Sequence, residues 1–306
     1  MSAPIPVWAA NRTRTRPPVV ALAGGFEPIQ TWQAVARACP AHPLYVLGNP
    51  RWNAAHEDGG SGGNPLQPSL REYIFSLDHT LASLGIQQAI LVATGMLGEI
   101  ALAYAAVKAQ ARTHSHGAGN EPFNLNVANS HARLYTARNP IGALILADVT
   151  GAEPTLRQRS GWFEDAITLL SEDTAGAVGV MERYLREGLS AETLENPGCG
   201  PLLRRWADIG DRGSAASLLR IQSARGSWVE AASEITVPAT LLASAHLDDD
   251  RLRATQNLAQ QLCTTLATVP ASGTVLQVDR PHLLAEKITR ISPFVVAQRH
   301  SGSAKS

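Results

Sequence analysis

The chain has 306 residues, of which 44% are hydrophobic and 17% are charged, with 25 glycines and 19 prolines. This composition is that of a globular protein, and it excludes a collagen, a coiled coil and a wholly disordered chain. Lysine and arginine number 26 and so do aspartate and glutamate, so the formal charge is zero and neither nucleic acid nor an anionic membrane is a favoured partner. The three cysteines Cys39, Cys199 and Cys263 lie far apart, which argues against a disulfide framework or a zinc cluster and predicts a cytoplasmic protein.

The first 18 residues are basic, contain no acidic residue and lack the long apolar run of a secretory signal. We expect a flexible arm there, with a transit peptide as the less favoured alternative. No stretch of eighteen apolar residues occurs anywhere in the chain, so the sequence predicts no helix that spans a membrane.

Short apolar runs alternate with longer amphipathic stretches in the first half of the chain. The runs predict strands at residues 19–23, 44–47, 89–92 and 143–148. The amphipathic stretches predict helices at residues 31–37, 69–84 and 99–108. Ser69 and Glu72 have the Ser-x-x-Glu spacing of a capping box, which marks the start of the second helix. Residues 48–68 and about 110–135 are rich in glycine, proline, histidine and asparagine without periodicity, and they predict loops.

The second half begins with a helical region that contains no predicted strand, at residues 151–234. Later elements are a strand at 237–244, a helix at 252–268, a strand at 274–278, a helix at 283–291 and a flexible tail at 296–306. This alternation predicts a doubly wound, mostly parallel sheet with a helical lid inserted after the strand that ends at Asp148. The core would then be split into residues 1–150 and 235–295.

The segment from Leu91 to Ala105 resembles, without a gap, the nucleophile elbow of the α/β-hydrolase superfamily, in which a strand turns sharply into a helix. The glycine-rich turn at residues 23–26 resembles the oxyanion loop of that family. Asp248 follows a later strand, and His282 lies in a segment that resembles the loop of the catalytic histidine. The order of elbow, acid and histidine along the chain is that of the superfamily.

The decisive departure from the family is Gly95, which stands where the resemblance implies a serine, cysteine or aspartate. A glycine has no side chain to attack a carbonyl carbon, so covalent catalysis is not expected. The flanking family glycines are replaced by Ala93 and Leu97 while Gly98 remains, and we expect a relaxed turn there. Backbone N–H groups of Met96 and of Gly25 or Phe26 remain as oxyanion or ligand-binding donors, because they do not depend on a side chain.

The resemblance implies that His282, held by a carboxylate, still moves a proton. Asp248 is the first choice for that carboxylate, with Asp249, Asp250 and Asp148 as alternatives. The sequence therefore predicts a cofactor-free, non-covalent lyase, cyclase, isomerase or water-mediated hydrolase that acts on a small apolar carbonyl compound.

Two other functions stay open at this point. One is a catalytically inactive pseudo-hydrolase that binds a small ligand, and the other is an ordinary serine-type ester hydrolase in which the register of the elbow differs and Thr94 or another hydroxyl attacks. His114 and His116, with His131 nearby in sequence, have no clear carboxylate or cysteine partner, so we expect no metal. The sequence gives no indication of the oligomeric state.

Overall fold

A seven-stranded sheet forms the centre of the protein, in a computed structural model that describes residues 5–13, 15–50, 69–114, 139–245 and 247–303. The strands are β1 (Val7–Ala10), β2 (Val19–Leu22), β3 (Leu44–Leu47), β4 (Ala89–Thr94), β5 (Ile141–Ala147), β6 (Ala239–Ser244) and β7 (Leu266–Val269). They lie in the order β1-β3-β2-β4-β5-β6-β7, and every neighbouring pair is parallel except β1 with β3. The predicted doubly wound, mostly parallel sheet is confirmed.

Helices cover both faces of this sheet. They are α1 (Gln33–Ala38), α2 (Leu70–Ser83), α3 (Gly95–His114), α4 (Leu156–Leu170), α5 (Thr174–Glu187), α6 (Ala191–Leu194), α7 (Cys199–Ile209), α8 (Arg212–Ala224), α9 (Val229–Ala232), α10 (Asp249–Gln261), α11 (Leu276–Asp279) and α12 (Pro281–Ser303). Along β2, Val20 and Leu22 pack with the core beneath α2 and α3, whereas Val19 and Ala21 pack with the core beneath α1 and α12. This period-two alternation explains why the runs are apolar throughout: both faces of each central strand are buried.

The chain between β5 and β6 forms the six helices α4 to α9 and no strand, and we call residues 151–238 the helical insert. Four of its six helices, α4, α5, α6 and α8, start at a side-chain cap. Thr155 and Gln158 form a capping box at α4, as Ser69 and Glu72 do at α2, and Asp173 and Asp211 cap α5 and α8. Such caps satisfy backbone donors that would otherwise lose hydrogen bonds, each at a gain of about 1 kcal/mol. None of the described helices is long and apolar enough to cross a membrane.

Several predicted elements differ from the structure near the two ends of the chain. The expected N-terminal arm contains β1, which pairs with β3 at the edge of the sheet. The last helix does not end at residue 291 but runs on through the expected flexible tail to Ser303. β1 is held by pairing with β3, and Val295 of α12 packs against Gly142 of β5, which are contacts that local composition does not reveal.

The largest correction concerns the chain after β6. The helix predicted at 252–268 ends at Gln261, and Cys263 takes a left-handed conformation with φ +49° that turns the chain into β7. The strand predicted at 274–278 is wrong, because β7 lies earlier and residues Leu276–Asp279 form the short helix α11. β7 pairs in register with β6 from Leu241 to Ser244, so sheet pairing rather than the longer apolar run decides where the last strand lies.

Candidate functional site

A cavity of about 490 Å³ lies between the carboxyl ends of the parallel strands and the helical insert. Loops that follow β2, β4, β5 and β7 form one wall, and α4, α5 and α8 contribute to the other. Ligands of open α/β sheets bind at this edge, because the loops that follow parallel strands converge there. The predicted binding residues Gly25, Phe26, Gly95 and Met96 all line the cavity.

The turn after β4 is sharp, and Gly95 stands at its tip. Gly95 has φ +53°, in the left-handed region that glycine adopts without strain. A Cβ atom built there has no atom within 4 Å, so the position opens into free space. The turn keeps a left-handed backbone at its tip, and a glycine adopts that conformation without the strain that a larger residue would carry.

Gly98 is required for a different reason. A Cβ atom on Gly98 would lie 2.2 Å from Cγ2 of Val149, in the loop that follows β5. The first turn of α3 therefore packs directly against that loop, and only a glycine permits the approach. This contact brings the β4 and β5 loops together at the floor of the cavity.

The loop after β2 lines the cavity through Gly25, Phe26 and Glu27. The ring of Phe26 stacks on Tyr184 of α5, with ring centroids 4.1 Å apart and planes 10° apart, so the loop is held against the helical insert. The N–H of Phe26 donates a hydrogen bond to Oε2 of Glu27 at 3.3 Å. One of the predicted oxyanion donors is thus already engaged by a carboxylate of its own loop.

Glu27 lines the cavity and was not predicted to be a site residue. Its Oε1 accepts a hydrogen bond from Nε2 of Gln277 in α11 at 3.4 Å. Burial raises the pKa of Glu27, although the hydrogen bonds from its own backbone, from Phe26 and from Gln277 act in the opposite direction. The sequence feature that could have indicated Glu27 is its position directly after the glycine-rich turn at the end of a strand.

A buried polar network fastens α8 to the elbow. Nε2 of Gln222 donates to the carbonyl oxygen of Met96 at 2.9 Å, and Nε of Arg225 donates to Oε1 of Gln222 at 2.8 Å. The guanidinium of Arg225 lies 3.3 Å from Oε1 of Glu99, which also accepts from the N–H and hydroxyl of Thr150 at 3.0 Å. Burial lowers the pKa of Arg225, and the nearby carboxylate of Glu99 opposes this effect.

The structure does not assemble the expected acid/base pair of His282 and Asp248. His282 is exposed in the first turn of α12 and does not line the cavity. Asp248 is also exposed, and its Oδ1 accepts the N–H of Arg251 at 2.8 Å as the cap of α10. The carboxylate of Asp248 therefore caps α10, and no hydrogen bond joins it to His282. The expected pairing of Asp248 with His282 is not formed in the structure.

Thr274, in the loop after β7, lines the cavity at the place where the resemblance implied a histidine. Asp279 fixes this loop: its Oδ2 accepts the N–H of Gly273 at 2.7 Å and the N–H of Ser190 at 2.9 Å. Because Ser190 belongs to the helical insert, one buried carboxylate ties the insert to the β7 loop. The early position of β7 is what brings Thr274, and not His282, to the cavity.

The three other candidate carboxylates differ in environment. Asp148 is 1% exposed, lines the cavity with φ +55°, and its Oδ1 accepts the N–H of Ser244 at 2.7 Å. Asp249 and Asp250 are exposed in the first turn of α10, and Asp250 lies 2.5 Å from Arg253 at the rim of the cavity.

Three of the nine histidines have described side chains: His42, His79 and His282. His42 is buried, and its Nδ1 lies 2.9 Å from the carbonyl oxygen of Pro17. Burial lowers the pKa of His42. His79 and His282 are exposed, so no histidine with a described side chain lines the cavity. The considered metal ligands His114, His116 and His131 lie outside the described side chains.

Solved structures show what the chain is similar to. It matches a thermophilic esterase from Thermogutta terrifontis at 15% identity and TM-score 0.70, covering 95% of this chain and 93% of the other. It matches the enol-lactonase of Burkholderia xenovorans LB400 at 14% identity and TM-score 0.67, covering 94% and 95%. It matches MGS-M2, an α/β-hydrolase enzyme from a Medee basin deep-sea metagenome, at 15% identity and TM-score 0.64, covering 94% and 93%. No protein-family model and no curated protein sequence matches the chain.

Proposed function

We propose that this chain, which has the α/β-hydrolase fold, binds a small molecule non-covalently in the cavity beside Gly95 and forms no covalent intermediate. The observation that carries the proposal is Gly95: the residue at the tip of the positive-φ turn has no atom that can attack a carbonyl. Esterases of this fold attack with a serine at the elbow, activated by a histidine. The described residues that line the cavity include no serine, cysteine or histidine.

The shape of the cavity supports a binding role. About 300–1,000 Å³ is the usual volume of a small-molecule site, and the cavity of about 490 Å³ falls within that range. Its rigid walls are joined by the network around Gln222 and by the Phe26–Tyr184 stack. A site held in shape before the ligand arrives loses less entropy on binding.

The side chains that line the cavity indicate which class of ligand it can bind. Apolar surface comes from residues on both sides of the cavity, among them Phe26, Met96, Trp162, Leu218 and Val275. Charged groups also face it, among them Glu27, Glu99, Arg225 and Arg251. We therefore propose a ligand with an apolar body and several polar groups, which is more polar than the small apolar carbonyl compound expected from the sequence.

Fragment binding observed by saturation-transfer NMR tests this function. Thr274→Trp, which fills the cavity, is expected to abolish fragment binding. Thr289→Trp, on the exposed face of α12, is expected to leave it unchanged. Equal binding by the two variants would contradict the proposed site.

Covalent labelling tests the absence of a nucleophile. The wild-type protein is expected to remain unlabelled by a fluorophosphonate probe and to leave p-nitrophenyl acetate unhydrolysed. Stoichiometric labelling would refute the proposal, and its loss in Thr94→Val would identify Thr94, which is buried beside Gly95, as the attacking residue.

A second candidate function is non-covalent proton transfer, which Glu27 favours. This carboxyl lines the cavity, accepts hydrogen bonds from the N–H of Phe26 and from Gln277, and has its pKa raised by burial. In such an enzyme Glu27 would take a proton from a carbon beside a carbonyl group and return it elsewhere on the same molecule.

Deuterium uptake separates this enzyme from a binding protein. Carbonyl fragments that bind are incubated with the protein in D2O, and exchange at carbon is followed by NMR. Catalysed exchange that is lost in Glu27→Gln but kept in His282→Ala would support proton transfer. Binding without exchange would support the first function.

A further inference from the structure

One helix of the insert presents a row of large apolar side chains to solvent. On α4, Leu156 is 83% exposed, Phe163 51%, Ile167 50% and Leu170 43%. Single exposed apolar residues are ordinary, but four along one helix of 15 residues form a continuous surface.

The spacing of these residues is that of a helix-pairing seam. Counting from Leu156, the positions 160, 163, 167 and 170 follow at steps of four, three, four and three, the a/d repeat of helices that pair side by side. Only Ser160 interrupts the apolar series, and it too is exposed. We call these five residues, Leu156, Ser160, Phe163, Ile167 and Leu170, the α4 seam.

The opposite face of α4 already has its partners. Ala166 and Leu169 are buried in the core, and Asp165 accepts a hydrogen bond from the hydroxyl of Tyr184 at 2.8 Å. The helix also begins at the capping box of Thr155. The seam therefore belongs to a helix that is fixed in place, so pairing through it would order no new chain segment.

The charges at the two ends of α4 are opposite. Arg157 is exposed at the start of the helix, and Glu172 is exposed just past its end. Neither forms an ion pair with another described residue. In an antiparallel pair of α4 helices about an axis near Phe163, Arg157 of each copy lies opposite residue 169 of the other, three residues and less than one helical turn from Glu172, whereas a parallel arrangement places like charges together.

We propose that two copies of this chain associate through the α4 seam, as an antiparallel helix pair about a twofold axis near Phe163. The complementary ends select the antiparallel arrangement, and the surface is self-complementary, as a twofold contact requires. This proposal is independent of the function of the cavity.

Sedimentation velocity over a range of concentrations tests the association. Wild-type protein is expected to shift from monomer to dimer, and Phe163→Asp is expected to weaken the dimer by roughly 30-fold or more, as loss of a central interface residue does. Ile209→Asp and Phe294→Asp are matched controls, because these side chains are 62% and 58% exposed on other helices. A wild-type monomer at every concentration, or a dimer lost in Ile209→Asp but kept in Phe163→Asp, would overturn the proposal.

Cysteine crosslinking tests the geometry in a Cys263→Ser background, since Cys263 is the exposed native cysteine. Phe163→Cys is expected to form a disulfide-linked dimer, because the two copies meet near the axis. Leu156→Cys alone is expected to form none, yet to link to Leu170→Cys when the two variants are mixed. Efficient self-linking of Leu156→Cys would refute the antiparallel arrangement.

Charge reversal provides a readout that a general loss of folding does not give. Arg157→Glu is expected to weaken the dimer, and Arg157→Glu combined with Glu172→Arg is expected to restore it. Circular dichroism of each variant confirms that it is folded. Failure of the second change to restore association would contradict the proposed pairing.

Discussion

Gly95→Ser tests two properties of the elbow separately: the stability cost of a side chain on its left-handed backbone, and the effect of an added hydroxyl on activity. The serine Cβ would enter open space, since no atom lies within 4 Å of it. The cost therefore comes from the backbone alone: a side chain at φ +53° is strained by about 1–2 kcal/mol. The entropy of unfolding scales to about 0.6 kcal/mol/K for 306 residues, so the melting temperature should fall by about 2–3 °C.

Gly98→Ala is the matched control, three residues further along α3. Its Cβ would lie 2.2 Å from Val149, so overpacking should cost about 3 kcal/mol and lower the melting temperature by about 5 °C. Val149→Ala should recover part of that loss in the double variant, since the clashing methyl group is removed. The same second change should not rescue Gly95→Ser.

Scanning calorimetry measures these stabilities, and hydrolysis of p-nitrophenyl acetate measures the chemistry. Gly95→Ser alone should show no activity above wild type, because His282, the histidine that the resemblance implied, is exposed on α12 and does not line the cavity. The reasoning is refuted if Gly95→Ser destabilises as much as Gly98→Ala. Ester hydrolysis by the single variant would equally show that a base is present beside the elbow.

Three further outcomes follow from buried charges. Burial raises the pKa of Glu27 in the folded protein, so the wild type loses stability as the pH rises and this carboxyl ionises. Glu27→Gln removes that cost, and it should stabilise the protein at pH 7.5 but not below about pH 4, as urea unfolding at the two pH values would measure. Burial lowers the pKa of His42, so below about pH 6.5 the unfolded chain binds a proton that the folded protein does not, and stability falls. His42→Asn should reduce this loss of stability between pH 7.5 and 5.5, as melting temperatures measured against pH would show. Arg225→Met should cost about 3–5 kcal/mol by leaving Glu99 buried without its cation, and Glu99→Gln in the same chain should recover most of that loss in urea unfolding.

The sequence was sufficient wherever a short segment decides its own structure. Continuous apolar runs predicted β2 to β6, since a strand buried on both faces needs such a run wherever it lies in the sheet. The Ser69–Glu72 spacing predicted the capping box of α2, which acts within one helical turn. Gly95 also carried its chemical meaning directly, because a missing side chain stays missing in any fold.

Only the tertiary structure decided which side chains reach the cavity. β7 begins at Leu266, five residues after the end of α10, in a register that is set by pairing with β6 across the sheet. This early strand brings Thr274 to the cavity and leaves His282 exposed on α12. Glu27 is held in the cavity wall by hydrogen bonds from the N–H of Phe26 and from Gln277, which is 250 residues away in sequence. Helix caps form between near neighbours and buried strands are marked by their own apolar runs, whereas a binding site is assembled by contacts whose partners a single sequence does not reveal.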